Sequence, residues 1–154
     1  MGAVITLFVD ADACPVKDEV YRVARRYRLP VRVVANARLR VPLDPLLQMV
    51  VVTGHFDAAD DWIVEHIEAG DIAVTADIPL AARCLAKGAR VLDGKGKVYS
   101  EESIGDALAT RELMAYLRDL GEVGGGPAPY DARDRSRFLQ HLDDLIQASL
   151  KAGR

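Results

Sequence analysis

Five short apolar runs rich in β-branched residues, with helical stretches between several of them, constrain the fold of this chain most. They are Val4–Val9, Val31–Ala35, Met49–Val52, Ile72–Thr75 and Val91–Leu92. Most read as unbroken apolar stretches rather than as in/out alternation, which marks strands covered on both faces. Helical stretches are expected at about 15–28, 58–68 and 79–87, with Pro15 and Pro79 in first-turn positions, where no amide donor is needed. Strands alternating with helices pair in parallel through right-handed crossovers. The expected architecture is therefore α/β, a three-layer sandwich around a mostly parallel sheet of about five strands.

Two longer helices follow. The first is expected from Ser100, with Glu101 and Glu102 where the helix dipole favours anions, to about Leu120. The Gly/Pro-rich segment 121–129 reads as a linker. The last helix, about 132–150, carries Phe138, Leu139, Leu142, Leu145, Ile146 and Leu150 at helical spacing, a stripe suited to docking on the core. At 154 residues the chain fits a single domain: a core to about 120, the linker and the closing helix. A chain of this length buries about two-thirds of its unfolded surface, so its core needs no disulfide or metal staple.

The two cysteines, Cys14 and Cys84, are too few for a disulfide framework. They suit a reducing cytoplasm, where each serves as a small buried hydrophobe. No apolar run approaches the roughly 20 residues that cross a bilayer, so no membrane association is expected. The opening run has no basic residue before it and is cut short by Asp10, unlike a signal peptide. Met1-Gly2 with Thr6 formally fits a myristoylation pattern, but the segment reads better as the first buried strand.

Ligand sites of open parallel sheets lie beyond the carboxyl ends of the strands. The first strand runs into Asp10 and Asp12, the third into His55 and then Asp57, Asp60 and Asp61, and the fourth into Asp77. Each acid alone has a structural explanation. Asp57 and Asp77 precede helices, where aspartate is a favoured N-cap, and Asp60 and Asp61 fall in a first turn. Asp10 caps nothing obvious. Six aspartates on one edge strain that reading, because two carboxylates about 4 Å apart repel by roughly 4 kcal/mol at an effective dielectric near 20. Such a group needs protons or a cation. An all-oxygen donor set selects Mg²⁺ or Mn²⁺ over zinc.

Lysine plus arginine (20) against aspartate plus glutamate (23) leaves a net charge of −3, which excludes a histone-like coat for nucleic acid. The distribution is uneven. Residues 17–40 hold eight lysines and arginines against Asp18 and Glu19. The arginines at 22–28 read as a solvated helix face. Asn36, Arg38 and Arg40, just past the second strand, are better placed to hold phosphates. Arg133, Arg135 and Arg137 open the final helix. No zinc spacing, dinucleotide fingerprint, Walker loop or serine-hydrolase elbow appears.

Val9-Asp-Ala-Asp-Ala-Cys-Pro-Val-Lys-Asp18, Arg38-Leu-Arg-Val-Pro42, Phe56-Asp-Ala-Ala-Asp-Asp-Trp62, Val74-Thr-Ala-Asp-Ile-Pro-Leu-Ala81 and Ala132-Arg-Asp-Arg-Ser-Arg-Phe138 together resemble the bacterial YaiI/YqxD family, essentially end to end. That family has no established biochemical function. It is usually grouped with PIN-like domains, metal-dependent ribonucleases with three or four acids at the carboxyl edge of a parallel sheet. The resemblance implies that Asp10 is the first acid, Asp77 the acid after the fourth strand, and one of Asp57, Asp60 and Asp61 the middle one. Asp12 and the C-terminal helix with its arginines depart from the common PIN pattern.

The resulting expectation is a Mg²⁺- or Mn²⁺-dependent phosphodiesterase acting on RNA. Asp10, Asp12 and Asp77 would be catalytic, Asp10, Asp57, Asp60, Asp61 and Asp77 would supply metal ligands, and Asn36, Arg38 and Arg40 would contact phosphates. Two alternatives stay open. Asp10-Ala-Asp12 also matches the opening of haloacid-dehalogenase-type phosphatases, which would recruit Thr53, Lys87 and Asp93. A non-catalytic module binding RNA or protein would keep the acids without chemistry.

Overall fold

In the computed structural model, which describes residues 4–121 and 129–153, the apolar runs form β1 (Leu7–Asp10), β2 (Val31–Ala35), β3 (Leu47–Val51), β4 (Ile72–Val74) and β5 (Arg90–Leu92). A sixth strand, β6 (Val98–Tyr99), returns antiparallel at one edge. The order is β3-β2-β1-β4-β5-β6, and every pairing except β5–β6 is parallel. Leu7 of β1 pairs with both Val31 and Ile72, so the carboxyl ends of the three central strands lie level.

One layer holds α1 (Lys17–Tyr27) and α5 (Ala132–Ala152), and the other holds α2 (Ala58–His66), α3 (Ile78–Ala86) and α4 (Glu101–Asp119). Because side chains alternate across a strand, Leu7, Val9, Val31 and Val33 pack under α1 and α5. Phe8, Val34, Ala73 and Val91 pack under α2 and α3. Both faces are thus covered, as unbroken apolar strands require. Cys14 and Cys84 are both buried, and burial pushes the Cys84 thiol up to about 12.

Helix α5 docks as its stripe demands. Phe138, Leu142 and Ile146 are fully buried, each contributing about 1.5–3 kcal/mol. The β5–β6 turn is shaped for this docking. Gly96 has φ +88°, and a Cβ there would stand 2.8 Å from the Arg137 carbonyl carbon and the Phe138 nitrogen. Helix α4 is different, because none of its residues is buried; Ile104 and Ala107 only partly cover the core.

Several boundaries differ from expectation. The first strand starts at Leu7, with Val4 70% exposed ahead of it, because β4 offers partners only from Ile72 onward. Pro15 lies outside α1, which starts at Lys17, whereas Pro79 does sit in a first turn. Arg28 ends α1 in the left-handed region with φ 56°. The two-residue β6 is too short to leave a periodic signal. Met1-Gly2 of the myristoylation pattern and residues 122–128 of the expected linker lie outside the described residues. Among the described residues no helix is long and apolar enough to cross a membrane.

Candidate functional site

The chain leaves β1 toward β2 on one side and reaches β4 on the other, so the crevice beyond the carboxyl ends of β1 and β4 is the switch point at which open α/β sheets bind ligands. Asp10 is the last residue of β1, and Asp77 follows β4 by three residues. A cleft of about 430 Å³ opens there. It is lined by Asp10, Asp12, Asn36, His55, Phe56, Asp57, Asp60, Ala76 and Asp77. Five of the six expected aspartates therefore share one cleft with Asn36.

Thr75 organises the centre of this edge. Its side chain is buried in an otherwise apolar strand end. The hydroxyl donates to Asp10 Oδ2 at 2.7 Å and accepts from the Asp77 amide at 3.0 Å, tying the two strand ends together. Asp77 caps α3, its Oδ1 accepting from the Leu80 amide at 3.0 Å. Asp57 holds the N-cap position of α2 but makes no side-chain cap bond. Asp12 is exposed, in the 3-10 turn Ala11–Ala13 that follows β1.

Asp61 does not line the cleft. Its carboxylate is held outside by His55 Nε2 at 2.9 Å and accepts from Arg83 Nη1 at 2.9 Å. Those two bonds lower its pKa. Asp60, one residue earlier on the same helix, turns inward instead. Its pKa is pushed up to about 6, first by burial and then by the negative charges of Asp77, Asp10 and Asp57. Burial also raises Asp10; Asp12 and Asp77 add to that effect and the Thr75 bond opposes it. The cleft is thus short of positive charge: among the described residues no lysine or arginine lines it.

Arg38 and Arg40 stand apart from Asn36, lining a separate groove with Leu39, Val41, Leu43 and Met49. Thr53, Lys87 and Asp93 do not line the cleft either. Lys87 Nζ donates to the Val64 carbonyl, and Asp93 Oδ1 accepts from the amides of Lys95 and Lys97 in the β5–β6 turn. As the side chains stand, no three carboxylate, imidazole or thiol groups among the described residues are arranged to hold an ion. The sequence reading missed Thr75 and Phe56, the latter 99% exposed at the cleft. Thr75 left a signal, a lone hydroxyl closing an apolar strand run immediately before Ala76-Asp77.

Fold and site together define a doubly wound α/β protein whose mostly parallel sheet ends in an acidic cleft. The chain belongs to the family described as Uncharacterized BCR, YaiI/YqxD family, whose model matches residues 8–148. A UPF0178 protein of Rhodospirillum rubrum is 57% identical over 149 residues, covering 96% of this chain and 99% of its own length. A UPF0178 protein of Rhodospirillum centenum is 56% identical over 154 residues, covering 97% and 99%. One of Paramagnetospirillum magneticum is 58% identical over 140 residues, covering 91% and 93%. No solved structure shows a significant match.

Proposed function

We propose that this protein is a Mg²⁺- or Mn²⁺-dependent phosphodiesterase acting on RNA. The observation that carries the reading is the gathering of Asp10, Asp12, Asp57, Asp60 and Asp77 around one cleft. Burial first, and then the charges of Asp77, Asp10 and Asp57, raise the Asp60 pKa within that cleft. The resemblance to PIN-like ribonucleases supports the same reading. The donor set fits a hard divalent cation, being all oxygen. Asp10 and Asp77 would anchor the ion, and Asp57, Asp60 and Asp12 would complete its shell by turning their carboxylates inward.

When bound, the cation would polarise a phosphoryl oxygen and offset the charge that develops on it. The chain's own groups do the rest. Thr75 holds Asp10, a residue of the cleft wall, by the hydrogen bond to Oδ2. Asp60 would give its carboxylate to the cation's shell from the wall of the cleft it shares with Asp10, Asp57 and Asp77. Asn36 offers its amide to a phosphate in the cleft, and Arg38 and Arg40 contact the strand beyond it. The phosphatase alternative finds a hydroxyl beside Asp10 in Thr75, but Lys87 and the later acid Asp93 lie outside the cleft.

The test is incubation of the protein with single-stranded RNA in Mn²⁺ or Mg²⁺. Wild-type protein cleaves it and Asp10→Asn does not. Wild-type protein that cleaves no RNA with either metal overturns the proposal, and salt-sensitive binding without cleavage would favour the non-catalytic module.

A further inference from the structure

Helix α4 runs antiparallel to α3. Its first residue, Glu101, shares a groove with Leu85 near the end of α3, whereas Thr110 and Arg111 share another with Ile78, the first residue of α3. Ile78 adjoins Asp77, so Arg111 stands level with the acidic edge. The eight residues that follow to Asp119 carry the helix about 12 Å past the start of α3, on the side of the sheet where the acids lie.

The face that α4 turns inward changes character at that level. Ile104 and Ala107 pack on the core. At helical spacing the same face continues through Arg111, Met114 and Arg118. It is apolar where it has a protein layer beneath it, and it presents Arg111 and Arg118 on either side of Met114 where it overhangs. Both arginines are exposed, and among the described residues neither side chain has a hydrogen bond or ion pair. Lys97, exposed in the β5–β6 turn at the same edge, lines one groove with Arg111 and Asp106, and Arg118 follows two helical turns further on.

Strand order sets these groups against the arginine loop. Arg38 and Arg40 follow β2, to one side of the β1–β4 crevice, and Lys97 lies between β5 and β6, to the other. We infer that Arg111 and Arg118, with Lys97, form a second phosphate-contacting wall. A single-stranded RNA would cross the carboxyl edge between that wall and the Arg38/Arg40 loop, placing a phosphodiester over the acids. A strand gripped on both flanks can approach an acidic cleft that would repel it alone. This inference rests on the phosphodiesterase reading.

The test is fluorescence anisotropy of a 12-nucleotide single-stranded RNA, with Ca²⁺ replacing Mg²⁺, across a range of NaCl concentrations. The double variant Arg111→Ala/Arg118→Ala is expected to bind about tenfold more weakly at low salt. Its plot of log affinity against log salt should be shallower by about 1.4, since each lost single-strand phosphate contact removes about 0.7. The double lysine variant, Arg111→Lys/Arg118→Lys, should keep the wild-type slope. The Mn²⁺-induced rise in melting temperature should match wild type, because neither arginine lines the cleft. Wild-type affinity and slope in the double alanine variant overturn the inference and leave the phosphodiesterase reading intact. Wild-type protein without salt-dependent RNA binding overturns both.

Discussion

The two ends of the sheet use aspartate in opposite ways. At the amino end Asp71, just ahead of β4, is 7% exposed, and both of its oxygens are engaged: Oδ1 accepts from the Thr6 amide and Oδ2 from the Glu68 amide, each at 2.9 Å. One side chain thereby stitches the lead into β1 to the loop after α2. At the carboxyl end, among the described residues, Asp10 accepts only from Thr75, Asp57 makes no cap bond, and the Asp60 pKa is raised by three acidic neighbours on top of the burial that also raises Asp71. A buried carboxylate with its lone pairs satisfied is a structural fastening. Carboxylates crowded together with lone pairs unspent cost stability and are retained where a ligand can use them.

That contrast is open to direct attack, and its largest expected effect lies at the amino end. Asp71→Ala removes the acceptor of two backbone amides, and an unsatisfied buried donor costs roughly 1–3 kcal/mol. Urea unfolding should show a loss of about 3 kcal/mol with no change in the response to Mn²⁺. A loss under 1 kcal/mol would mean that Asp71 fastens nothing. Thr75→Val is next, at about 1.5 kcal/mol, since it strips a partner from Asp10 and from the Asp77 amide. It should also weaken Mn²⁺ binding, and Thr75→Ser should restore both, as expected of a positioning hydroxyl.

Asp60→Asn gives the smallest effect and the opposite sign. Burial and neighbouring charge raise the Asp60 pKa from 3.8 to about 6, so the folded protein holds that proton more tightly than the unfolded chain does. The associated stability is complete below pH 3.8 and is lost as pH rises through 6. Discounted for solvent exposure, the variant should be more stable than wild type above pH 6 by less than about 1 kcal/mol. Its stability should also vary less between pH 4 and 6. An Asp60→Asn protein less stable than wild type at pH 8, without added metal, would show that the cleft is not crowded with negative charge.

Much of this contrast was legible in the sequence. Apolar strand runs closing on Asp10 and Asp77 located the acidic edge, and the stripe through Phe138, Leu142 and Ile146 announced the docking of α5. The sorting of Asp60 from Asp61 was not legible. Both lie in the first turn of α2, and only three-dimensional placement gives Asp61 the His55 and Arg83 partners that hold it outside. The arginines of α4 were hidden for a related reason. Arg111 adjoins Glu112 and Arg118 adjoins Asp119, so a window of sequence averages their charge away. Helical phase separates them only once it is known where α3 begins. Asp71 sits beside a strand like the other acids, and nothing in its neighbours reveals that two amides converge on it.

Calorimetric titration of Mn²⁺ into the wild-type protein and into Asp10→Asn and Asp77→Asn is the most direct test of an acidic cleft built for a divalent cation. Asparagine keeps an oxygen to accept the Thr75 or Leu80 bond, so both variants should fold with near wild-type stability. The account predicts saturable binding to wild type that either substitution abolishes. No binding to wild type, or equal binding to all three proteins, would contradict it.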